Sequence, residues 1–281
     1  MPKVEEVYRL ALEKGKPLGV MSNDIRLLLA YELNLPSPAD VYLHFNDEIP
    51  ADSRFDERFA RILQGEPLEY VINEAKFLKH RLYVDRRVLI PRGETEELIA
   101  LISERIYDYY DPRNYLVVAD IGTGSGCIAI ALKSLAKNWL ITASDISEDA
   151  LEVARKNIAD SGMNISTLQG RSLEPFIKAN MNLDIIVSNP PYIKNKEEAQ
   201  ESVRLYEPAS ALWLEEGASV YEDIFRDYKK VKKGSLLMCF EIGYDLKDYL
   251  TSLMEKYLEK YEYEFIEDLN GLTRFLFVFC E

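Results

Sequence analysis

Apolar positions along the chain follow three successive patterns. Over the first ~70 residues, Val4, Val7, Tyr8, Leu10 and Ala11 recur at the spacing of a helix face. Ile25, Leu28, Leu29 and Leu33 repeat that spacing, and Ser22-Asn23-Asp24 offers cap candidates just before them. Pro36 and Pro38 break the run, and Phe55, Phe59, Ile62 and Leu63 mark another helical face. Between Pro67 and Pro91 the texture changes: Tyr70-Val71-Ile72 and Leu82-Tyr83-Val84 read as short strands around a polar middle, a hairpin joining two domains. Ile90-Pro91-Arg92-Gly93-Glu94-Thr95-Glu96-Glu97 then leads into a helix to about Tyr107, with Glu94 or Thr95 as candidates to serve its N-terminus.

Beyond Pro112 the pattern alternates. Strands are expected at 115–121, 140–144, 165–169, 183–188 and 235–242, with helices at 126–137, 147–161, 217–232 and 245–260. Strands separated by helices imply right-handed crossovers and a mostly parallel, doubly wound α/β sheet. The end of the chain differs, because Tyr263–Asp268 and Thr273–Cys280 flank the hairpin-type turn Asn270-Gly271. An antiparallel pair is therefore expected to close the sheet edge.

Composition narrows the function classes. Of 281 residues, 47% are hydrophobic and 29% charged, an ordinary globular balance. No apolar stretch approaches the ~20 residues needed to cross a bilayer, and Met1-Pro2-Lys3-Val4-Glu5-Glu6 carries acids where a signal peptide needs an apolar core. Three widely spaced cysteines and two isolated histidines support neither a disulfide framework nor a metal site. A cytoplasmic, metal-free protein is expected. The formal charge of −14 disfavours a nucleic-acid partner. The N-terminal segment shares this bias, with eight Lys or Arg against thirteen Asp or Glu in residues 1–70.

Two motifs carry the candidate chemistry. Val117–Ile121 runs into Gly122-Thr123-Gly124-Ser125-Gly126-Cys127 and then into an apolar helix, giving strand, glycine loop and helix. Glycines let the backbone turn sharply and approach a ligand closely, while helix N–H groups point into the same space. The spacing is G-x-G-x-G, not the G-x-G-x-x-G that seats a pyrophosphate. About twenty residues on, the next strand ends in Ser144-Asp145, from which an acid reaches ribose hydroxyls. The bland reading of Asp145 is a helix cap, a role that Ser147 fills better. Asp120 either organises the glycine loop or approaches the amino-acid portion of a cofactor.

The second motif, Asn189-Pro190-Pro191-Tyr192, comes directly after the apolar run 183–188. Taken alone it is an ordinary turn sequence. Proline lacks an N–H, so the segment offers acceptors, chiefly the Asn189 side-chain oxygen and the Pro190 carbonyl, to a planar –NH2 group. Tyr192 adds a flat face for stacking. Both motifs end parallel strands and so face one crevice. S-adenosylmethionine, which carries an electrophilic methyl beside a ribose, fits that pairing, with S-adenosylhomocysteine as product.

With these residues in place, the chain resembles the protein-(glutamine-N5) methyltransferases of the HemK/PrmC family. The resemblance covers nearly the whole length, through Ile90-Pro91-Arg92-x-Glu94-Thr95-Glu96, Asp120–Gly126, Val187–Tyr192, Val203-Arg204-Leu205-Tyr206-Glu207-Pro208 and Asn270–Arg274. It implies a class I S-adenosylmethionine-dependent methyltransferase sheet, Rossmann-like, with a small helical bundle in front. The expected division is a helical substrate-recognition domain at 1–69, a β-hairpin linker at 70–90 and a catalytic domain at 91–281. The bundle taken alone reads equally well as a stabilising cap. The implied reaction methylates the glutamine of the Gly-Gly-Gln motif in peptide chain release factors, and a monomer is expected.

Asn189, Pro190 and Tyr192 are the expected catalytic residues, with Pro191 and Arg92 joining them at the substrate. Asp120, Gly122, Thr123, Gly124, Ser125, Gly126, Asp145, Ser172 and Asn189 are expected around the cofactor. Arg92 and Glu94 read as shaping the pocket, and Arg204 with Glu207 as ordering a loop or pairing on the surface. Two departures stand out: Gly93 replaces the family's usual proline, and Arg171 in Gly170-Arg171-Ser172 replaces an acid expected near the adenine amino group. The alternatives are a ribosomal-protein glutamine methyltransferase, an adenine-N6 methyltransferase acting on nucleic acid, and a non-catalytic binding protein that keeps the fold.

Overall fold

An apolar residue every three to four positions folds the N-terminal segment into short helices: α1 (Val4–Gly15), α2 (Ser22–Glu32), α3 (Phe55–Leu63) and α4 (Leu68–Ile72). Their inward faces, with Val41 from a 3-10 helix over Pro38–His44, form one core around Val4, Ile25, Leu28, Leu29 and Phe59. The computed structural model describes residues 1–111, 114–194, 197, 199–214 and 219–281. The chain divides into Met1–Glu74 with Glu201–Tyr206, and Ala75–Gln200 with Glu207–Glu281.

Several local expectations give way in the first unit. Ser22 is the first residue of α2, and Met21 occupies the cap position without a side-chain bond. Tyr70-Val71-Ile72 is not a strand. Pro67 precedes a single turn that buries Leu68, Tyr70 and Val71, and Asn73 ends it in a left-handed conformation at φ 55°. The aromatic and β-branched side chains favour a strand by propensity, but their burial in the helical core decides. The short helix Glu201–Tyr206, unforeseen, belongs to this unit, where the Tyr206 hydroxyl donates to the Gln64 carbonyl at 3.0 Å.

The second unit opens on the hairpin β1 (Ala75–Phe77) and β2 (His80–Leu82), antiparallel with Ala75 opposite Leu82. The main sheet contains β3 (Val117–Ile121), β4 (Leu140–Asp145), β5 (Ser166–Gln169), β6 (Leu183–Ser188), β7 (Lys232–Glu241), β8 (Glu262–Glu267) and β9 (Thr273–Cys280). The order is β5-β4-β3-β6-β7-β9-β8, parallel from β5 to β7, with β9 antiparallel to both neighbours. The expected doubly wound sheet and closing hairpin are therefore present.

Successive residues of a strand point to opposite faces, and the core splits accordingly. Val118, Ile185, Leu237 and Phe277 pack with Leu98, Ile102, Ile128 and Ile158 on one face. Those partners come from the helices Gly93–Tyr109, Cys127–Leu135 and Glu148–Ser161. Ala119, Ile186, Met238 and Val278 pack with Ile224, Phe225, Leu250 and Met254 on the other, from helices Val220–Asp227 and Lys247–Tyr257. The apolar pattern starts the first of these two helices at residue 217. Residues 217 and 218 lie outside the described residues, and Ser219 caps the helix at Val220. Glu94 lies in the first turn of the helix that begins at Gly93, where an acid suits the N-terminus, while the cap position itself falls to Arg92 with an extended backbone.

Chain order turns around at β3. From β3 the chain winds outward to β4 and β5, then returns to lay β6 on the other side, pairing Ile121 with both Ser144 and Ser188. Loops leaving β3, β4 and β6 therefore diverge at their carboxyl ends and leave a crevice. Asn157, 2% exposed, braces this edge. Its amide oxygen accepts from the Tyr83 N–H at 2.7 Å, and its nitrogen donates to the carbonyls of Tyr83 at 2.9 Å and Ser125 at 2.8 Å. Replacing it with a residue of similar size and no polar atoms strands three backbone groups. Asn157→Leu is expected to cost about 3 kcal/mol, read as a lower urea midpoint at unchanged slope.

Candidate active site

The glycine loop lies where β3 hands over to the helix Cys127–Leu135. Backbone N–H groups of Gly122 and Thr123 both donate to the Ser144 carbonyl, at 2.8 and 2.9 Å, which ties the loop to the end of β4. Gly124 and Gly126 sit at φ 53° and 83°, the left-handed region that side chains disfavour. Nothing lies within 4 Å of where a Gly124 side chain would start, so its backbone is bare toward open space.

Asp120, fully buried, anchors the loop from beneath. Its Oδ2 accepts from the Thr123 hydroxyl at 2.6 Å and the Ala129 N–H at 3.1 Å. Burial pushes its carboxyl up to about 7, against those two bonds. Of its two readings the geometry fits the loop-organising one: Ile121 to Ser125 line the cavity and Asp120 does not. Asp145 does line it, with Oδ2 accepting from the Gly124 N–H at 3.0 Å and Oδ1 from the Ser147 N–H at 2.9 Å. Burial raises its carboxyl too. Ser147 is the helix cap, accepting from the Ala150 N–H at 3.2 Å.

The cavity is about 280 Å³ and gathers Gly122 to Ser125, Asp145, Ser172, Asn189, Pro190, Pro191 and Arg92. Tyr192 and Gly126 are not among its lining residues. The Tyr192 ring instead packs beneath the Arg274 guanidinium, 5.9 Å away, and its hydroxyl donates to Glu241 Oε1 at 3.3 Å. Arg171 lines the cavity and pairs with Asp223 at 2.7 Å, while Asp223 is not among the lining residues. Glu207, expected to work with Arg204, gives its buried carboxylate to the Arg92 guanidinium and the Ile90 N–H.

The chief residue missed by sequence reasoning is Glu241, 1% exposed at the end of β7. Its Oε2 accepts from the Thr95 hydroxyl at 2.6 Å, and Thr95 in turn accepts from Asn189 Nδ2 at 3.2 Å. Burial pushes Glu241 up to about 7, opposed by its bonds from Thr95 and Tyr192 and by the Arg274 charge. A signal existed. Glu241 closes the apolar run Leu236–Phe240, the same strand-end position that Asp145 and Asn189 occupy.

A nucleoside cofactor meets a suitable surface here. Ser172 Oγ is buried with no hydrogen-bond partner among the described residues, and Ser172 shares the cavity lining with the glycine loop and Asp145. Unsatisfied buried hydroxyls are uncommon in folded chains, so the residues present fit a polar ligand.

Asp120 generates a pH prediction. Its pKa is about 7 folded, against an ordinary 3.8 unfolded. The folded state holds a proton that the unfolded state releases, so this contribution to stability is whole below about pH 4, is lost as pH rises, and is constant above about pH 7. Asp120→Asn keeps an acceptor for Thr123 and Ala129 and carries no charge. Its stability relative to wild type should therefore rise across that window, by up to about 4 kcal/mol at about 1.4 kcal/mol per pKa unit. Urea melts between about pH 5 and 8 read the difference; a pH-independent difference would mean that Asp120 titrates as an ordinary carboxylate.

Comparison with known proteins agrees with this architecture. The methyltransferase small domain model matches residues 108–221, and the PrmC N-terminal domain model matches residues 14–72. The release factor glutamine methyltransferase of Bacillus subtilis is 36% identical over 98% of this chain and 96% of its own length. That of Chlorobaculum tepidum is 34% identical over 88% of this chain and 86% of its own. Among solved structures, the N-terminal domain of human METTL16 in complex with SAH has a TM-score of 0.50 at 17% identity, covering 71% of this chain and 75% of that one, a likeness of fold. Over a third of positions identical across nearly the full length of both chains is decisive: the chain belongs to the release factor glutamine methyltransferase family.

Proposed function

We propose that this protein transfers the methyl group of S-adenosylmethionine to the side-chain amide nitrogen of the glutamine in the Gly-Gly-Gln motif of peptide chain release factors. The observation that carries this reading is the orientation of Asn189: its amide nitrogen donates to Thr95, which turns its oxygen away as an acceptor. Pro190 comes next in the same cavity lining, and its carbonyl is the second acceptor of this reading, in a segment where Pro191 offers no N–H. Family membership supports the substrate, since the curated relatives carry that activity in their names.

A carboxamide nitrogen is a weak nucleophile because its lone pair is delocalised into the carbonyl. Acceptors aligned on both of its hydrogens favour a partly pyramidal nitrogen with the lone pair released. Positive charge then grows on that nitrogen, and the Asn189 and Pro190 oxygens stabilise it more than they stabilise the neutral amide. Tyr192 is fixed through Glu241 and Arg274 outside the cavity lining, while Pro191 and Arg92 shape the substrate side. Gly122 to Ser125, Asp145 and Ser172, all in the cavity lining, are the residues that would hold S-adenosylmethionine. When bound it supplies an electrophilic methyl group, and positioning by these residues makes the encounter intramolecular. No base is required beforehand, because the amide proton becomes acidic only once the nitrogen is charged, and it then leaves to water.

The test is transfer of labelled methyl to a purified release factor, run beside its Gln→Ala variant, ribosomal proteins and an adenine-containing oligonucleotide. Label is expected only on the release factor that retains its glutamine. Asn189→Ala should lower the rate by roughly a hundred-fold or more, the effect of removing one transition-state hydrogen bond in a dry site. Label on a ribosomal protein or on the oligonucleotide would overturn the substrate assignment.

A further inference from the structure

The two ends of an asparagine amide have nearly the same shape, yet only one can serve here. An Asn189 flipped by half a turn would aim an –NH2 at the –NH2 of the substrate, donor against donor. The preference must therefore come from behind the side chain. Asn189 Nδ2 lies 3.2 Å from Thr95 Oγ1, and Thr95 Oγ1 lies 2.6 Å from Glu241 Oε2.

A threonine hydroxyl has one proton, and an ionised carboxylate can only accept. With that proton given to Glu241, Thr95 offers only lone pairs toward Asn189. Nδ2 satisfies them and Oδ1 would be repelled. Thr95 is 2% exposed and Glu241 1%, which leaves little room for water to substitute. The groups facing Glu241 hold it in place: the Tyr192 hydroxyl donates to its other oxygen at 3.3 Å, and the Tyr221 hydroxyl to its backbone carbonyl at 2.8 Å. Arg274 favours its charge, while Glu94 opposes it.

We propose that Thr95 and Glu241 are positioning residues that lock the Asn189 amide with Oδ1 toward the methyl-accepting nitrogen. The functional consequence rests on the glutamine methyltransferase reading above. The three residues come from a helix, a strand end and a loop, so the direction of the chain is a property of the folded unit and not of the Asn-Pro-Pro-Tyr segment alone.

The test uses the full chain at about pH 8, above the value of about 7 to which burial pushes Glu241. Its variants are Thr95→Val, Thr95→Ser and Glu241→Met. The Asn189 side-chain –NH2 is followed by nitrogen-15 NMR without cofactor or substrate, assigned by its loss in Asn189→Ala. One Asn189 N–H should exchange slowly with solvent in wild type and in Thr95→Ser, and about ten-fold faster in Thr95→Val and Glu241→Met. In methyl transfer, Thr95→Val should lower kcat about ten-fold, with KM for the release factor and cofactor affinity within about two-fold, and Thr95→Ser should restore it.

Unchanged Asn189 exchange in Thr95→Val overturns the proposal, whatever the activity. So does a Thr95→Val defect confined to KM, or one that Thr95→Ser fails to relieve. If Glu241→Met does not fold, the Thr95 pair still decides. A wild-type enzyme that leaves release factors unlabelled would fail the functional reading separately, while the exchange measurement would still judge the orientation.

Discussion

Carboxylates buried or half-buried at the carboxyl ends of the strands are the constraint around which the catalytic unit is organised. β3 brings Asp120, β4 brings Asp145 and β7 brings Glu241 to the edge where the loops diverge. Desolvation raises the pKa of all three, and a buried charge is tolerable only when donors surround it. Those donors are drawn largely from the loops and segments that must be held still. Thr123 and Ala129 bond Asp120, Gly124 and Ser147 bond Asp145, and Thr95 and Tyr192 bond Glu241. Bonding each acid thus fixes a piece of the site, although Asp120 Oδ1 has no partner among the described residues. The electrostatic penalty at the strand ends and the order of the loops are one problem with one solution.

These three acids serve two purposes through the same device. Asp120 and Asp145 grip the glycine loop from opposite sides, one sealed below it and one on the cavity wall, so the bare backbone between them has a defined shape. Glu241 acts at a distance of two hydrogen bonds and sets a direction instead of a shape. Because the sheet registers Ile121 against both Ser144 and Ser188, the loop edges meet in step. The Ser188 hydroxyl, donating to the Ile121 carbonyl at 2.6 Å, ties the Asn-Pro-Pro-Tyr strand to the glycine-loop strand directly.

What was legible in the sequence is what is local. Strand positions, the glycine loop, the Asn-Pro-Pro-Tyr turn and the closing hairpin all announce themselves within a few consecutive residues, through hydrophobic period and turn chemistry. The failures share a cause. Thr95 reads as a helix-start residue, yet its partner Glu241 is 146 positions away. Glu207 has a plausible neighbour in Arg204, yet its actual partner Arg92 is 115 positions distant. Tyr70–Ile72 has strand composition and becomes helix because the helical core takes the Val71 and Ile72 side chains. In each case tertiary context chose among options that one-dimensional reasoning leaves level.

The cations at the cavity bear on the kind of substrate. Three arginines line it among the described residues, and each is already matched by a carboxylate of the same unit: Arg87 by Asp85 and Glu152, Arg92 by Glu207, Arg171 by Asp223. A nucleic-acid ligand draws most of its affinity from free Lys and Arg that neutralise phosphates. Here it would have to break these pairs and leave carboxylates such as Glu207 buried without a partner, which is expensive. In a chain of formal charge −14 the surrounding field adds to that cost. A neutral carboxamide makes no such demand. It needs two acceptors, and Asn189 and Pro190, both in the cavity lining, can supply them without disturbing any ion pair around the cavity.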